Sequence, residues 1–222
     1  MNVKVQGLLN AAQWIEHTYG QPALRDVVRS CGPAVRDRYT SAIAIEWHPL
    51  SELVEFLGAA ETVLGKGDGK LAEEIGAAGA RTNMRGSFAR MLFYIAKPEF
   101  LMKRIATLWS QFNDAGSMQL LHIDDFSSTI EVKGVPEPNW LFCCTLTGWG
   151  REVVRAMGGS DPRSKHVECR ARGAQRCVWK QTWTGVSANE AAAREAERAS
   201  TRFRSAASAP PSKPRKPEGD GG

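Results

Sequence analysis

The sequence predicts an α+β fold in which several amino-terminal helices pack with a small antiparallel sheet made of two hairpins and an intervening helix. Three observations carry this. Apolar residues recur at helical spacing in the first half, they alternate in short strand-like runs after Gly116, and a broadly apolar segment from Asn139 to Met157 separates two such runs. With 222 residues, 42% of them hydrophobic and 24% charged, the chain has an ordinary globular composition and enough apolar surface for a core.

The elements follow in order. Leu8, Ala12, Ile15 and Tyr19 mark one face of a first helix, which Gly20 stops. Pro22 opens a second helix that ends before Gly32. Pro49 sits at the entry of a third, whose stripe is Leu50, Leu53, Val54, Leu57, Ala60 and Leu64. Asp68 caps the next, where Leu71, Ile75, Ala78 and Thr82 repeat the period and Gly76 and Gly79 allow another helix to approach closely. After Pro98, Leu101, Ile105, Leu108 and Phe112 repeat it again. MQLLHI and SSTIEVKG, joined through Asp124, Asp125 and Phe126, form a hairpin. Pro138 then opens the helix Asn139 to Met157, with Phe142, Leu146, Trp149 and Val153 in one stripe and Leu141 and Cys143 widening it. SKHVECRARGAQRCVWKQTW is a second hairpin turning around Gly173. Residues 1–184 are thus expected to form the folded domain. Residues 185–222, rich in Ala, Arg and Pro, hold too little apolar surface to fold and are expected to be partly helical, then disordered.

Composition narrows the function. Twenty-nine basic against 24 acidic residues give +5 without a basic stripe, a weak case for nucleic acid; Lys213, Arg215 and Lys216 in the tail are the exception. No apolar run is long enough to span a membrane and no secretion signal precedes the first helix, so a soluble cytoplasmic protein is expected. Five cysteines in such a chain favour thiols or metal over a disulfide framework. GKGDGK at Gly65 to Lys70 lacks the spacing of a phosphate-binding loop and is explained by a helix stop, turn and cap. His17 and His48 have no neighbours that form a relay, and no nucleophile elbow, zincin helix or dinucleotide fingerprint is present.

The last hairpin carries the informative residues. Alternation outward from Gly173 places Val167, Cys169, Ala171, Cys177 and Trp179 on one face, with Glu168, Arg170, Arg176 and Lys180 on the other. Cys169 and Cys177 become near cross-strand neighbours, an arrangement open to a disulfide, a metal or simple packing. Cys143 and His166 are two further potential ligands, and three thiolates with one imidazole would close a tetrahedral zinc site. Strict alternation turns His166 away from Cys169, so His166 can ligate only where the strand starts or bulges.

Cys143, Gly148 and Trp149, followed by His166-Val167-Glu168-Cys169, Gly173 and Cys177, resemble the 4-vinyl-reductase-type domain of the sensor halves of aromatic-responsive transcription activators. That resemblance implies zinc held by Cys143, Cys169 and Cys177, with His166 at a position where the family has Glu. More loosely, residues 1–184 resemble a family of unknown function abundant in myxobacteria, in the wider fold group of the haem-nitric-oxide-binding domain and the TRAPP subunits. An apolar cavity and a homodimer are implied. Haem is not expected, because Tyr39-Thr40-Ser41 lacks the arginine of the Tyr-x-Ser-x-Arg motif.

The expectation is therefore a non-enzymatic, zinc-stabilised sensor of a small hydrophobic ligand, signalling through an unidentified partner protein. Phe93, Phe100, Trp109 and Trp140 are the candidate pocket residues, as aromatic side chains suited to an apolar enclosure. The alternative is an interaction or tethering module without an exchangeable ligand, in which Cys31 and Cys144 are the thiols left over for lipid attachment, though each is more simply a small core residue.

Overall fold

Helices collect in the first half of the chain because each has one apolar face to bury. The computed structural model describes residues 1–84, 105–157 and 159–186, and the body to which they belong runs from Met1 to Val186. Strand β1 (Asn2–Lys4) leads into α1 (Gln6–Tyr19), followed by α2 (Gln21–Ser30) and α3 (Pro33–Thr40). Strand β2 (Trp47–Pro49) pairs antiparallel with β1, Val3 opposite His48, before α4 (Leu50–Val63) and α5 (Lys70–Asn83). After the undescribed stretch come α6 (Ile105–Phe112), β3 (Ser117–Ile123), β4 (Ser127–Lys133), α7 (Trp140–Ala156), β5 (Gly159–Glu168) and β6 (Cys177–Val186).

The α+β class is as expected, with seven α-helices among the described residues and a four-stranded antiparallel sheet in the order β3-β4-β6-β5. Both hairpins and the helix between them are present. Helix α3 and the short β1–β2 pair carry no periodic signal, and the sequence does not predict them. Tyr19, read as part of the α1 stripe, is 45% exposed because the helix there has passed the edge of the core; its ring meets Trp14 edge-on.

Two contacts position everything that matters for the site. Helices α5 and α7 cross so closely that a Cβ on Gly76 would collide with the carbonyl of Thr145, and one on Gly148 with that of Glu73. Glu152 of α7, 4% exposed, is paired with Arg81 of α5 at 3.1 Å and with Arg155 on its own helix. On its other side α7 lies against the sheet, where Ile130, Val132, Cys177 and Trp179 are buried and in register, Val132 opposite Cys177 and Ile130 opposite Trp179. Helix α7 is thus the shared wall between the helical layer and the sheet.

Candidate functional site

The α7 amino terminus is fixed by Asn139, whose side-chain oxygen accepts from the backbone N–H groups of Leu141 at 2.8 Å and Phe142 at 3.3 Å. That cap aims Cys143 at the terminal hairpin. There β5 bulges: His166 faces Trp179 and Glu168 faces Val178, so two steps on β5 match one on β6. The bulge turns Val167 out, 45% exposed, and brings His166 in. Strict alternation puts Val167 on the inner face; the extra residue corrects this and meets the condition set for His166.

The result is one cluster. The donor atoms of Cys143, His166, Cys169 and Cys177 all lie within 4.8 Å of one another. Tetrahedral zinc with Zn–S bonds of about 2.3 Å places its sulfur atoms about 3.8 Å apart, so the spread is compatible with a single ion. The three cysteines are buried and free of disulfides. Both ring nitrogens of His166 are buried without a hydrogen-bond partner, which is costly for an imidazole unless something else supplies one. Its ring is held by stacking on Trp179, centroids 4.0 Å apart and planes 1° from parallel.

At Cys177 the surroundings favour thiolate. The Arg170 backbone N–H points at the Cys177 sulfur at 3.3 Å, and the carbonyl of Cys169 accepts from Arg172 and Ala174 in the turn that follows. Proximity to the Cys143 thiol, then to the imidazole and the Arg170 N–H, pulls the Cys177 thiol below its ordinary range, while Cys143 is pushed up by its hydrogen bond to Cys177 and by burial. By contrast burial, as the largest cause, pushes Cys31 up to about 11 and Cys144 up to about 12, so both are buried, unreactive core thiols.

The other face of α7 forms one wall of a half-open apolar cavity of about 130 Å³. Phe142, Leu146 and Trp149 form its α7 wall; Leu53, Ile75 and Met118 add apolar surface from α4, α5 and β3. Trp109 lies in this wall, its indole N–H satisfied by the Ala115 carbonyl at 3.0 Å so that its ring is free to face apolar neighbours. Trp140 does not line the cavity. It stands beside the cluster instead, with the Arg172 guanidinium 3.3 Å above its ring and its plane 11° from that of His166. Phe93 and Phe100 lie outside the described residues. Sequence reasoning missed the polar residues of the lining, Lys4, Asn10, Asn83 and Asn113, since isolated polar side chains leave no periodic signal. Phe142 and Leu146 stand between the cavity and Cys143, for both also border a small gap next to Cys143 and Cys177.

An α+β body with these proportions is the fold of a class of solved proteins, the H-NOX domains. An H-NOX protein from S. oneidensis in the Fe(II)NO ligation state is 10% identical with a TM-score of 0.65, the match covering 82% of this chain and 99% of that one. The Fe(II) unliganded H-NOX protein of K. algicida is 9% identical with a TM-score of 0.61 over 82% of this chain and 97% of that one. A third structure, concerned with heme redox potential and porphyrin distortion, matches 81% of this chain at 13% identity and a TM-score of 0.56. No family model matches the sequence, and no curated protein is similar to it.

Two expectations are corrected by these matches. The assignment to the 4-vinyl-reductase-type and TRAPP-like group gives way to the H-NOX fold, which the three-cysteine spacing could not distinguish because it covers only the end of the domain. The expectation that haem is absent, which rested on the missing Tyr-x-Ser-x-Arg motif, loses its ground, since the fold is shared with proteins described in Fe(II) and heme states. Among the side chains that ligate haem iron in proteins, the described cavity walls carry the Met118 thioether and no imidazole, thiolate or phenolate. No described residue is therefore assigned to haem iron. Among the described residues no helix is long and apolar enough to cross a membrane.

Proposed function

We propose that this chain is a non-enzymatic sensory domain in which occupancy of the apolar cavity by a small hydrophobic ligand is read out through a partner protein. The observation that carries it is the arrangement of α7: Phe142, Leu146 and Trp149 wall the cavity, and Cys143, next to Phe142, belongs to the Cys₃His cluster. A ligand that moves Phe142 or Leu146 moves against a helix end anchored to the terminal hairpin. The anchor is a thiophilic metal ion, zinc by the donor chemistry, held by Cys143, His166, Cys169 and Cys177. Four protein donors leave no open coordination position for a water nucleophile, which supports a structural role. The cluster's function is to hold α7 in place while the cavity fills or empties.

Native mass spectrometry of the full chain, expressed with and without a haem supply, tests this reading. Retained zinc together with a small noncovalent adduct is expected. Haem absorption with stoichiometric porphyrin would identify the ligand as haem and keep the sensory reading; metal-free protein with no adduct, and no melting shift with any hydrophobic probe, would overturn it.

A further inference from the structure

The cavity is shaped by an omission. Gly79, in the interior of α5, lines it, and a Cβ there would meet nothing nearer than the Asn10 amide nitrogen at 3.7 Å, ordinary van der Waals contact. Gly76, one turn earlier, has a steric reason to be glycine; Gly79 has none. Glycine inside a helix is unfavourable relative to alanine, so what it supplies here is space beneath the amide of Asn10.

Asn10 is 5% exposed, and its orientation is set from both sides. Its side-chain oxygen accepts from Gln6 Nε2 at 2.8 Å, and its Nδ2 donates to Asn83 Oδ1 at 3.1 Å. Each of these oxygens has one of its two acceptor positions taken, and the polar atom of Asn10 that faces the space over Gly79 is Nδ2 rather than Oδ1. That nitrogen carries two hydrogens, and among the described residues the one acceptor it reaches is Asn83 Oδ1, which leaves one N–H of Asn10 for the cavity. A buried donor left unpaired is costly, and a ligand acceptor would relieve it.

Charge narrows the class further. Among the described residues lining the cavity Lys4 is the one charged side chain, and its ammonium is spent elsewhere, donating to the Ile45 carbonyl at 2.6 Å and lying 3.8 Å from the Trp47 ring centroid. An anionic ligand would be buried without a partner. A volume near 130 Å³ is close to that of a dry engineered cavity of about 150 Å³ that holds benzene, so it suits a single ring.

We infer that the cavity selects a neutral molecule about one ring in size bearing one hydrogen-bond acceptor, and that the amide nitrogen of Asn10 is the group that reads this acceptor. This rests on the cavity being a ligand site, as proposed above, and adds its specificity.

The test uses the full chain and three probes: cyclohexanone, its near-isostere methylenecyclohexane without the acceptor, and cyclohexanecarboxylate. Calorimetric titration should show binding of the first two and none of the carboxylate. In Asn10→Leu the ratio of ketone to hydrocarbon affinity should fall by about five- to tenfold, the net worth of one hydrogen bond. The infrared carbonyl stretch of bound cyclohexanone, measured in the wild-type chain, should lie below its position in a hydrocarbon solvent, a readout independent of how the variant folds. Gly79→Leu should abolish both bindings by filling the space. Equal ratios in wild type and Asn10→Leu, an unshifted carbonyl, or tight carboxylate binding would overturn the acceptor rule while leaving the cavity as a ligand site. Failure of both neutral probes to bind the wild type would instead remove the ligand site itself.

Discussion

Two alanine substitutions at the α5–α7 layer should act in opposite directions, although propensity alone treats them alike. At Gly148 a Cβ would collide with the Glu73 carbonyl oxygen, stand 2.7 Å from the carbonyl carbon and come within 3.0 Å of the Ala77 nitrogen. Relaxed nonbonded carbon contacts lie at about 3.5–4.0 Å, so α5 and α7 would have to separate by roughly an ångström where both are backbone and neither can yield locally. Overpacking of this kind costs about 1–3 kcal/mol or more, and the gain of up to about 1 kcal/mol in helix propensity offsets only part of it. At Gly79 the same methyl group meets Asn10 Nδ2 at 3.7 Å, so only the propensity gain of about 0.5–1 kcal/mol remains. For a domain of this size each kcal/mol moves the melting temperature by roughly 2–4 °C. Differential scanning calorimetry should find Gly148→Ala lower by several degrees and Gly79→Ala unchanged or higher. If Gly148→Ala melts at or above the wild type, the close α5–α7 crossing is wrong, and with it the account of how α7 is held.

Two further tests address the cluster and its surroundings. Replacing His166 with Ala should weaken zinc binding by about tenfold or more in competition with a chromogenic chelator, while His166→Glu, which keeps a donor at that position, should largely retain it; equal affinity in wild type and the Ala variant would show that the orphaned imidazole is not a ligand. His48 is buried on β2 with its Nδ1 3.2 Å from Glu52, itself paired with Arg38, and burial lowers its pKa from the ordinary 6.5. Because the unfolded chain then takes up a proton more readily than the folded one, stability should fall as pH drops below about 6.5, and His48→Gln should flatten that part of the denaturation profile; an unchanged slope would refute the assignment.

Much of the architecture was legible in the sequence because it rests on local periodicity. The stripes of α1, α4, α5 and α7 and the alternation of β4 and β6 each follow from residues a few positions apart. The Cys₃His cluster was legible in composition and only partly in geometry. Three cysteines and a histidine could be counted, but the bulge that turns His166 inward is set by how β5 fits β6 and has no marker of its own at Val167. Gly76 and Gly79 looked identical in sequence, yet one touches the Thr145 carbonyl and the other opens onto a void, a distinction made wholly by what stands across from them. The family assignment failed for a related reason. A motif over the last hairpin and α7 samples one corner of the molecule, whereas the fold match spans 82% of the chain at about 10% identity, where pattern survives and individual residues do not.

The two features that sequence could least specify, the bulge at Val167 and the space over Gly79, lie on opposite sides of α7, and this gives the helix its significance. One side is tied down: Cys143 belongs to the cluster, and the Thr147 hydroxyl accepts from the Trp179 indole N–H at 2.9 Å while donating to the Cys143 carbonyl at 3.0 Å. The other side is held apart from full packing by a cavity whose walls forgo contacts that a filled core would make. Because Gly76 and Gly148 lock the α5 side of α7, what filling the cavity can shift at low cost is the side chains of Phe142 and Leu146 at the anchored start of the helix. Loss of the zinc proposed for this cluster should therefore reduce stability and also uncouple ligand binding from any displacement of the terminal hairpin, so that a metal-free chain that remains folded would still bind cyclohexanone without transmitting it.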